Sequence, residues 1–171
     1  MTTSKGGYGK LAPMPHPRAL LWMTVRPLLR LYWRLRRPLT AGVRGMVFDA
    51  EGRVLLIRHT YIPGWYLPGG GVERGETMLT SLRRELDEEV GVILRGEVRL
   101  AGLYANFREF KSDHVALYVV AYGTYERVPR RSPEIAESGF FAAGALPEGT
   151  SASTRARILE VTEGLNAPDL W

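Results

Sequence analysis

Cysteine is absent from the 171-residue chain. Disulfide staples, thiolate zinc sites and cysteine nucleophiles are therefore excluded. A reducing, cytoplasmic setting is the expectation. Long apolar runs are missing too. The largely apolar stretch Ala19–Val25 is ended by Arg26, far short of the roughly 18–20 residues that a membrane helix needs. No signal-peptide cleavage pattern follows it. Lysine is scarce, with 3 against 20 arginines, and no function is read from that bias. Acidic residues are absent from positions 1–44, which hold nine Lys/Arg, whereas residues 45–171 hold 14 Lys/Arg and 18 Asp/Glu. The net charge of +5 thus belongs to an N-terminal arm, and the body is mildly acidic. A general nucleic-acid binder spreads positive charge over its folded body, so nucleic acid is not the expected partner.

Apolar residues make up 45% of the chain, enough for one core, and the length suits one domain plus an extension. Residues 1–17 are aperiodic and contain Gly, Pro and Lys, which predicts a tail. Residues 18–37 predict a basic helical arm, with Arg26, Arg30, Arg34 and Arg37 recurring every three or four positions and Pro38 as its stop. The domain is expected over 41–171. Val43–Phe48 and Val54–His59, joined by Asp49-Ala50-Glu51-Gly52, read as a β-hairpin. A helix follows over 77–91, with Thr77 as its N-cap and Gly91 as its stop. Val98–Ala105, Val115–Tyr122 and a short piece at Gly139–Phe141 read as strands. Ser153–Gly164 reads as a last helix, capped by Ser153 or Thr154. Strands, helix, strands, helix point to an α/β sandwich of the α+β kind with a mixed central sheet.

The helix over 77–91 carries the chemistry. Leu79, Leu82, Leu86 and Val90 recur at spacings of three and four, which defines a core face. Glu85, Glu88 and Glu89 stand at i, i+3 and i+4, which gathers them beside that face. Like charges at this spacing oppose helix formation. Glu88 and Glu89 also lie in the last turn, where the helix dipole disfavours anions. Several local rules are broken in one place, as happens at functional sites. A hard cation such as Mg²⁺, which prefers oxygen ligands, would resolve the conflict. Just upstream, Leu67-Pro68-Gly69-Gly70-Gly71 supplies backbone that can approach a metal or phosphate closely.

Residues 70–92 fit the pattern G-x5-E-x7-R-E-U-x-E-E-x-G-U, with U aliphatic, at Gly70, Glu76, Arg84, Glu85, Leu86, Glu88, Glu89, Gly91 and Val92. In this the chain resembles the Nudix hydrolase superfamily, and Trp65-Tyr66-Leu67-Pro68-Gly69-Gly70 looks like the usual lead into that box. The resemblance spans about 41–164 and implies an α/β/α sandwich. It implies Mg²⁺, or Mn²⁺ in its place, held by Glu85, Glu88, Glu89 and a carbonyl of Gly69 or Gly70. It places Glu85, Glu88 and Arg84 in the catalytic set, with Arg84 orienting carboxylates and Glu76 supporting the loop or the metal; Glu76 also counts, with Arg58 and Trp65, among the candidate substrate contacts. The implied reaction cuts a phosphoanhydride bond in a nucleoside diphosphate linked to another group. RNA 5′-end hydrolysis is the alternative reaction. A nucleotide-sensing domain that does not cut is the alternative class, although such domains commonly have a damaged box.

Other residues are open to two readings. Arg58 can touch a phosphate or sit on an edge strand. Trp65, Tyr66, Tyr104 and Phe107 can stack on a base or pack in the core. His59 and His114 can act as bases or stay structural, and Asp113 beside His114 forms a pair worth following. Glu134 and Glu137 lie in a segment from which some relatives draw a further glutamate. The arm 18–37 can pack on its own domain or on a second subunit as a homodimer. It can also lie peripherally on an anionic membrane, or steer an anionic substrate.

Overall fold

In the computed structural model, residues 39–107, 112–165 and 168–171 are described. The tail and the basic arm expected over residues 1–37 lie outside the described residues, so none of the readings of the arm is addressed. The described residues belong to one unit, Leu39–Trp171.

The elements run β1 (Thr40–Val47), β2 (Val54–His59), α1 (Met78–Val90), β3 (Val92–Leu94), β4 (Arg99–Ala105), β5 (Asp113–Val120), β6 (Tyr125–Arg127), β7 (Ile135–Phe141), a 3-10 turn (Ala143–Ala145) and α2 (Ala152–Glu163). β5 is central in a mixed three-stranded sheet, with β1 parallel on one side and β4 antiparallel on the other. β2 pairs antiparallel with β7, and β3 with β6. The short strands β3 and β6 carry too few residues to show a period, and the sequence reading passes over both.

The hairpin expected between β1 and β2 needs correction. Its turn is there: Asp49 Oδ1 accepts the backbone N–H of Glu51 at 3.1 Å and of Arg53 at 2.8 Å. One bridge, Phe48 to Val54, then closes it. Beyond that bridge the strands part, and each finds partners elsewhere. The reason is burial on both sides. Val43, Val47, Leu55, Ile57, Ala116 and Val120 face the cluster that includes Leu82, Leu86 and Val90 of α1. Met46, Val54, Leu56 and Leu117 face the cluster with Trp65, Leu67, Tyr104 and Ile158 of α2. Alternate residues along a strand point to opposite faces, so strands apolar on both faces need a helix over each. An exposed two-stranded hairpin cannot supply that.

α1 forms as its sequence directs. Thr77 accepts the Thr80 N–H at 3.1 Å, and Gly91 ends the helix in a left-handed conformation, donating to Asp87 at 3.0 Å. Gly45 on β1 lets the helix approach, since a Cβ there would lie 2.9 Å from Leu86. Each buried aliphatic of α1 contributes roughly 1.5–3 kcal/mol relative to exposure. α2 begins earlier than expected. Its N-cap is Ser151, whose hydroxyl accepts the Thr154 N–H at 3.1 Å. Ser151 also donates its own N–H to Trp65 O at 3.1 Å. That tertiary bond fixes the entry point, and serine or threonine at 153 and 154 cannot announce it. No helix among the described residues is long and apolar enough to cross a membrane.

Candidate functional site

β5 covers one edge of β1, and the glycine-rich segment covers the other. Val72 N–H donates to Ala41 O at 2.8 Å, Val43 N–H to Gly70 O at 2.9 Å, and Gly45 N–H to Pro68 O at 2.8 Å. This short ladder pins residues 68–72 against the sheet. Only glycine fits at 69: its φ is 135°, and a Cβ would lie 2.2 Å from Val43 O. At Gly70 a Cβ would lie 2.4 Å from Glu85 Oε1, so the missing side chain is what lets backbone and carboxylate meet.

Arg84 joins this loop to α1. Its Nε and Nη2 donate to the two oxygens of Glu76 at 2.9 and 3.0 Å. Nη2 also reaches Gly71 O at 3.2 Å, and Nη1 donates to Glu85 Oε1 at 2.8 Å and Glu88 Oε2 at 3.4 Å. Ser81 Oγ adds a bond to Gly71 O at 3.0 Å. The Arg84 guanidinium, with help from the Glu73 N–H, holds the Glu76 carboxyl down to about 2. A planar fork can bind a carboxylate with two parallel hydrogen bonds, which an ammonium cannot reproduce.

The three glutamates of the box differ in surroundings. Glu88 is the open one, its side chain 60% exposed, and that of Glu85 is 15% exposed. Glu89 is 8% exposed, and its Oε2 accepts the Gly69 N–H at 2.7 Å. Burial pushes the Glu89 carboxyl up to about 7, opposed by the Gly69 hydrogen bond and by the charge of Arg44, and aided by Glu85 and Glu134. Among the described residues, no three side chains of metal-ligand type are already gathered as a cation cage. The donor chemistry nevertheless fits a hard cation. All donors are oxygens, and a bound cation would favour the ionised form of Glu89. Gly70 O, already accepting from Val43, keeps a second lone pair.

A cleft of about 910 Å³ opens beside Gly70 and Gly71. Arg44 and His59 line it near the loop, and Thr40, Asn106 and Asp113 line it further along. Arg44 also donates to Gly69 O. His59 is buried, and its Nδ1 has no hydrogen-bond partner among the described residues. Burial, then Arg44, lower the His59 pKa, while Glu134 acts in the opposite sense. Tyr61 and Tyr66 flank its ring, with centroids at 5.0 and 5.8 Å.

Three sequence-selected residues stand elsewhere. Arg58 forms an ion pair with Glu137 of β7 at 2.9 Å and is absent from the cleft lining. Trp65 is a core residue packed edge-on against Phe141, with centroids 5.0 Å apart. Both oxygens of Glu76 are engaged by Arg84. The geometry therefore gives Glu76 a supporting place rather than a substrate-facing one. Arg44 and Thr40 escaped the sequence reading. Arg44 did leave a signal, as the one charged residue in Thr40–Val47.

Residues 38–161 match the NUDIX domain family. A MutT-like protein of Streptomyces ambofaciens is 43% identical over 68 residues, 39% of this chain and 43% of that protein. An RNA pyrophosphohydrolase of Halorhodospira halophila is 49% identical over 47 residues, 28% and 26% of the two chains. The matched segments thus span less than half of these relatives. The crystal structure of a MutT NUDIX hydrolase from Burkholderia pseudomallei superposes with a TM-score of 0.61 at 25% identity, covering 73% of this chain and 99% of that one.

Proposed function

Because the chain belongs to the NUDIX domain family, we propose that it is a divalent-metal-dependent pyrophosphohydrolase acting on nucleoside diphosphates linked to a further group. One observation carries the reading. The Arg84 clamp and buried Glu89 both bind the glycine-rich loop, and that loop borders a cleft containing a fixed arginine. About 910 Å³ falls within the range of small-molecule sites, roughly 300–1,000 Å³.

Held by Glu85, Glu88, Glu89 and the Gly70 carbonyl, Mg²⁺ or Mn²⁺ would shield the phosphate charge and lower the pKa of bound water. Arg44 neutralises the phosphate end of the substrate. The carboxylate of Glu85 or Glu88 takes the proton from the attacking water. The new O–P bond forms as the anhydride P–O bond breaks, and the second phosphate leaves with the bridging oxygen. Arg84 keeps Glu85 in place while Glu76 holds Arg84. Arg84→Lys is therefore expected to lower kcat by about 10- to 100-fold, the usual effect of losing a partner that orients ligands. Its far-ultraviolet circular dichroism should stay native, and an unchanged kcat would remove Arg84 from the positioning role.

A second reading is hydrolysis at RNA 5′ ends, favoured by the relatives that are named RNA pyrophosphohydrolase. One panel separates the two: nucleoside-diphosphate derivatives and 5′-triphosphate RNA, with Mg²⁺ and then Mn²⁺, each against native chain and Glu88→Gln. Turnover of a small substrate that falls at least tenfold in Glu88→Gln supports the first reading. Turnover of RNA alone favours the second. Nucleotide binding without turnover of anything removes both and leaves a sensing domain.

A further inference from the structure

The cleft is chemically polarised along β1. Thr40 and Arg44 are four residues apart on that strand, about 13 Å at the usual rise, and both line the cleft. Arg44 stands beside the glycine-rich loop, where phosphate belongs. At the Thr40 end, Asp113 is the one carboxylate among the described lining residues.

Asp113 is held in a fixed pose. Thr40 Oγ1 donates to its Oδ1 at 2.8 Å, and Asn106 Nδ2 donates to its Oδ2 at 2.9 Å. The sheet sets both partners. The parallel register places Thr40 opposite Asp113, and Asn106 N–H donates to Asp113 O at 2.8 Å at the end of β4. An ionised carboxylate only accepts, with about four lone-pair sites over its two oxygens. Among the described residues, two sites are filled, by Thr40 and Asn106, which leaves one on each oxygen. Phe107 and Trp171 add aromatic surface to the same cleft.

We propose that Asp113 determines base specificity, selecting a nucleotide whose base presents two adjacent N–H donors, the guanine edge. The inference rests on the reading of the cleft as a nucleotide site. Guanine offers N1–H and the 2-amino group side by side. Adenine sets an acceptor beside its one amino group, and the pyrimidines set acceptors beside their single donor. Each of those places a lone pair against the carboxylate. An acceptor facing an acceptor loses its hydrogen bond to water and gains none.

The test is calorimetric binding of GDP and of ADP, with Mg²⁺, to the full chain and to Asp113→Asn. GDP is expected to bind at least tenfold more tightly than ADP to the native chain. In Asp113→Asn the preference should vanish or reverse, because an amide matches the donor-acceptor pair of adenine. Should Asp113→Asn not fold, Thr40→Val serves instead. It removes one bond that aims the carboxylate, and it should narrow the GDP preference. Equal binding of GDP and ADP by the native chain overturns the proposal, as does equal weakening of both in the variants or no binding of either. Base-selective binding without turnover of any substrate would sink the hydrolytic reading and leave this one standing. Turnover of guanine and adenine substrates at equal rates would do the reverse.

Discussion

In metal-free buffer at pH 8, Glu89→Gln is expected to be more stable than the native chain. The gain is on the order of 3 kcal/mol, from the rise of the Glu89 carboxyl to about 7 against an unfolded value near 4.3. Below pH 4 both the folded and unfolded chains carry a neutral Glu89, so the native protein loses nothing there. As pH rises from about 4 to 7 the unfolded chain releases its proton first, and native stability falls. Above pH 7 the folded chain carries the buried charge and the full penalty persists. Glutamine never ionises, and its carbonyl can still accept the Gly69 N–H that Glu89 now takes at 2.7 Å. Urea midpoints across pH 4–8, at unchanged slope, measure the difference. A difference that does not grow with pH would show that burial imposes no such cost. The same variant should gain less stability from Mg²⁺ than the native chain, since a ligand stabilises only the state that it binds. The site would then be one where stability has been given up to keep a charge ready for the cation.

Arg157→Ala is expected to cost about 3–5 kcal/mol, the usual penalty for removing one member of a buried ion pair. Arg157 is 3% exposed, yet it lies on α2 among apolar neighbours. Its Nη2 donates to Glu160 Oε1 at 2.5 Å and its Nη1 to Leu170 O at 2.7 Å. The guanidinium lies over the rings of Tyr104 and Trp171, at 4.3 and 5.7 Å from their centroids. Tyr104 also donates to the other Glu160 oxygen at 3.3 Å. Arg157 thereby ties residues 170–171 to α2, while Ala105 exchanges backbone bonds with Asp169 and Trp171 at 2.7 and 3.0 Å. Alanine would leave Glu160 without its cation and free two residues that line the cleft. Replacing both members, Arg157→Met with Glu160→Leu, should recover most of the loss. Urea unfolding of the native chain and of these two variants decides it. A loss under about 1 kcal/mol in Arg157→Ala would mean that the pair contributes little beyond its desolvation cost.

These two residues mark how far a local sequence pattern reaches. Glu89 was visible because local rules conflict around it. Its carboxylate stands at i+4 from Glu85 in the last turn of a helix whose apolar face, cap and stop are all written locally. Its separation from Glu88 was not visible. The two are adjacent in sequence, yet one is buried against Gly69 and the other is open. That difference comes from a ladder between β1 and residues 68–72, not from the helix. Arg157 gave no signal, because an arginine on a helix ordinarily faces water. Only packing of Tyr104 and Trp171, from β4 and from residue 171, makes that position an interior one.

The sequence by itself determined the box, the carboxylates that it carries, α1 with its cap and stop, and the α+β class, because each rests on residue type and on periods of a few positions. Tertiary structure alone decided the parting of β1 from β2, the removal of Arg58 and Trp65 from the cleft, and the entry of Arg44 and Thr40 into it. It also gathered Asp113 with Asn106 across the end of β4 and β5. The physical reason is that strand partners and cleft walls are set by which apolar faces need cover and which backbone edges need hydrogen bonds. Those demands are met by residues tens of positions away, beyond the reach of any local pattern.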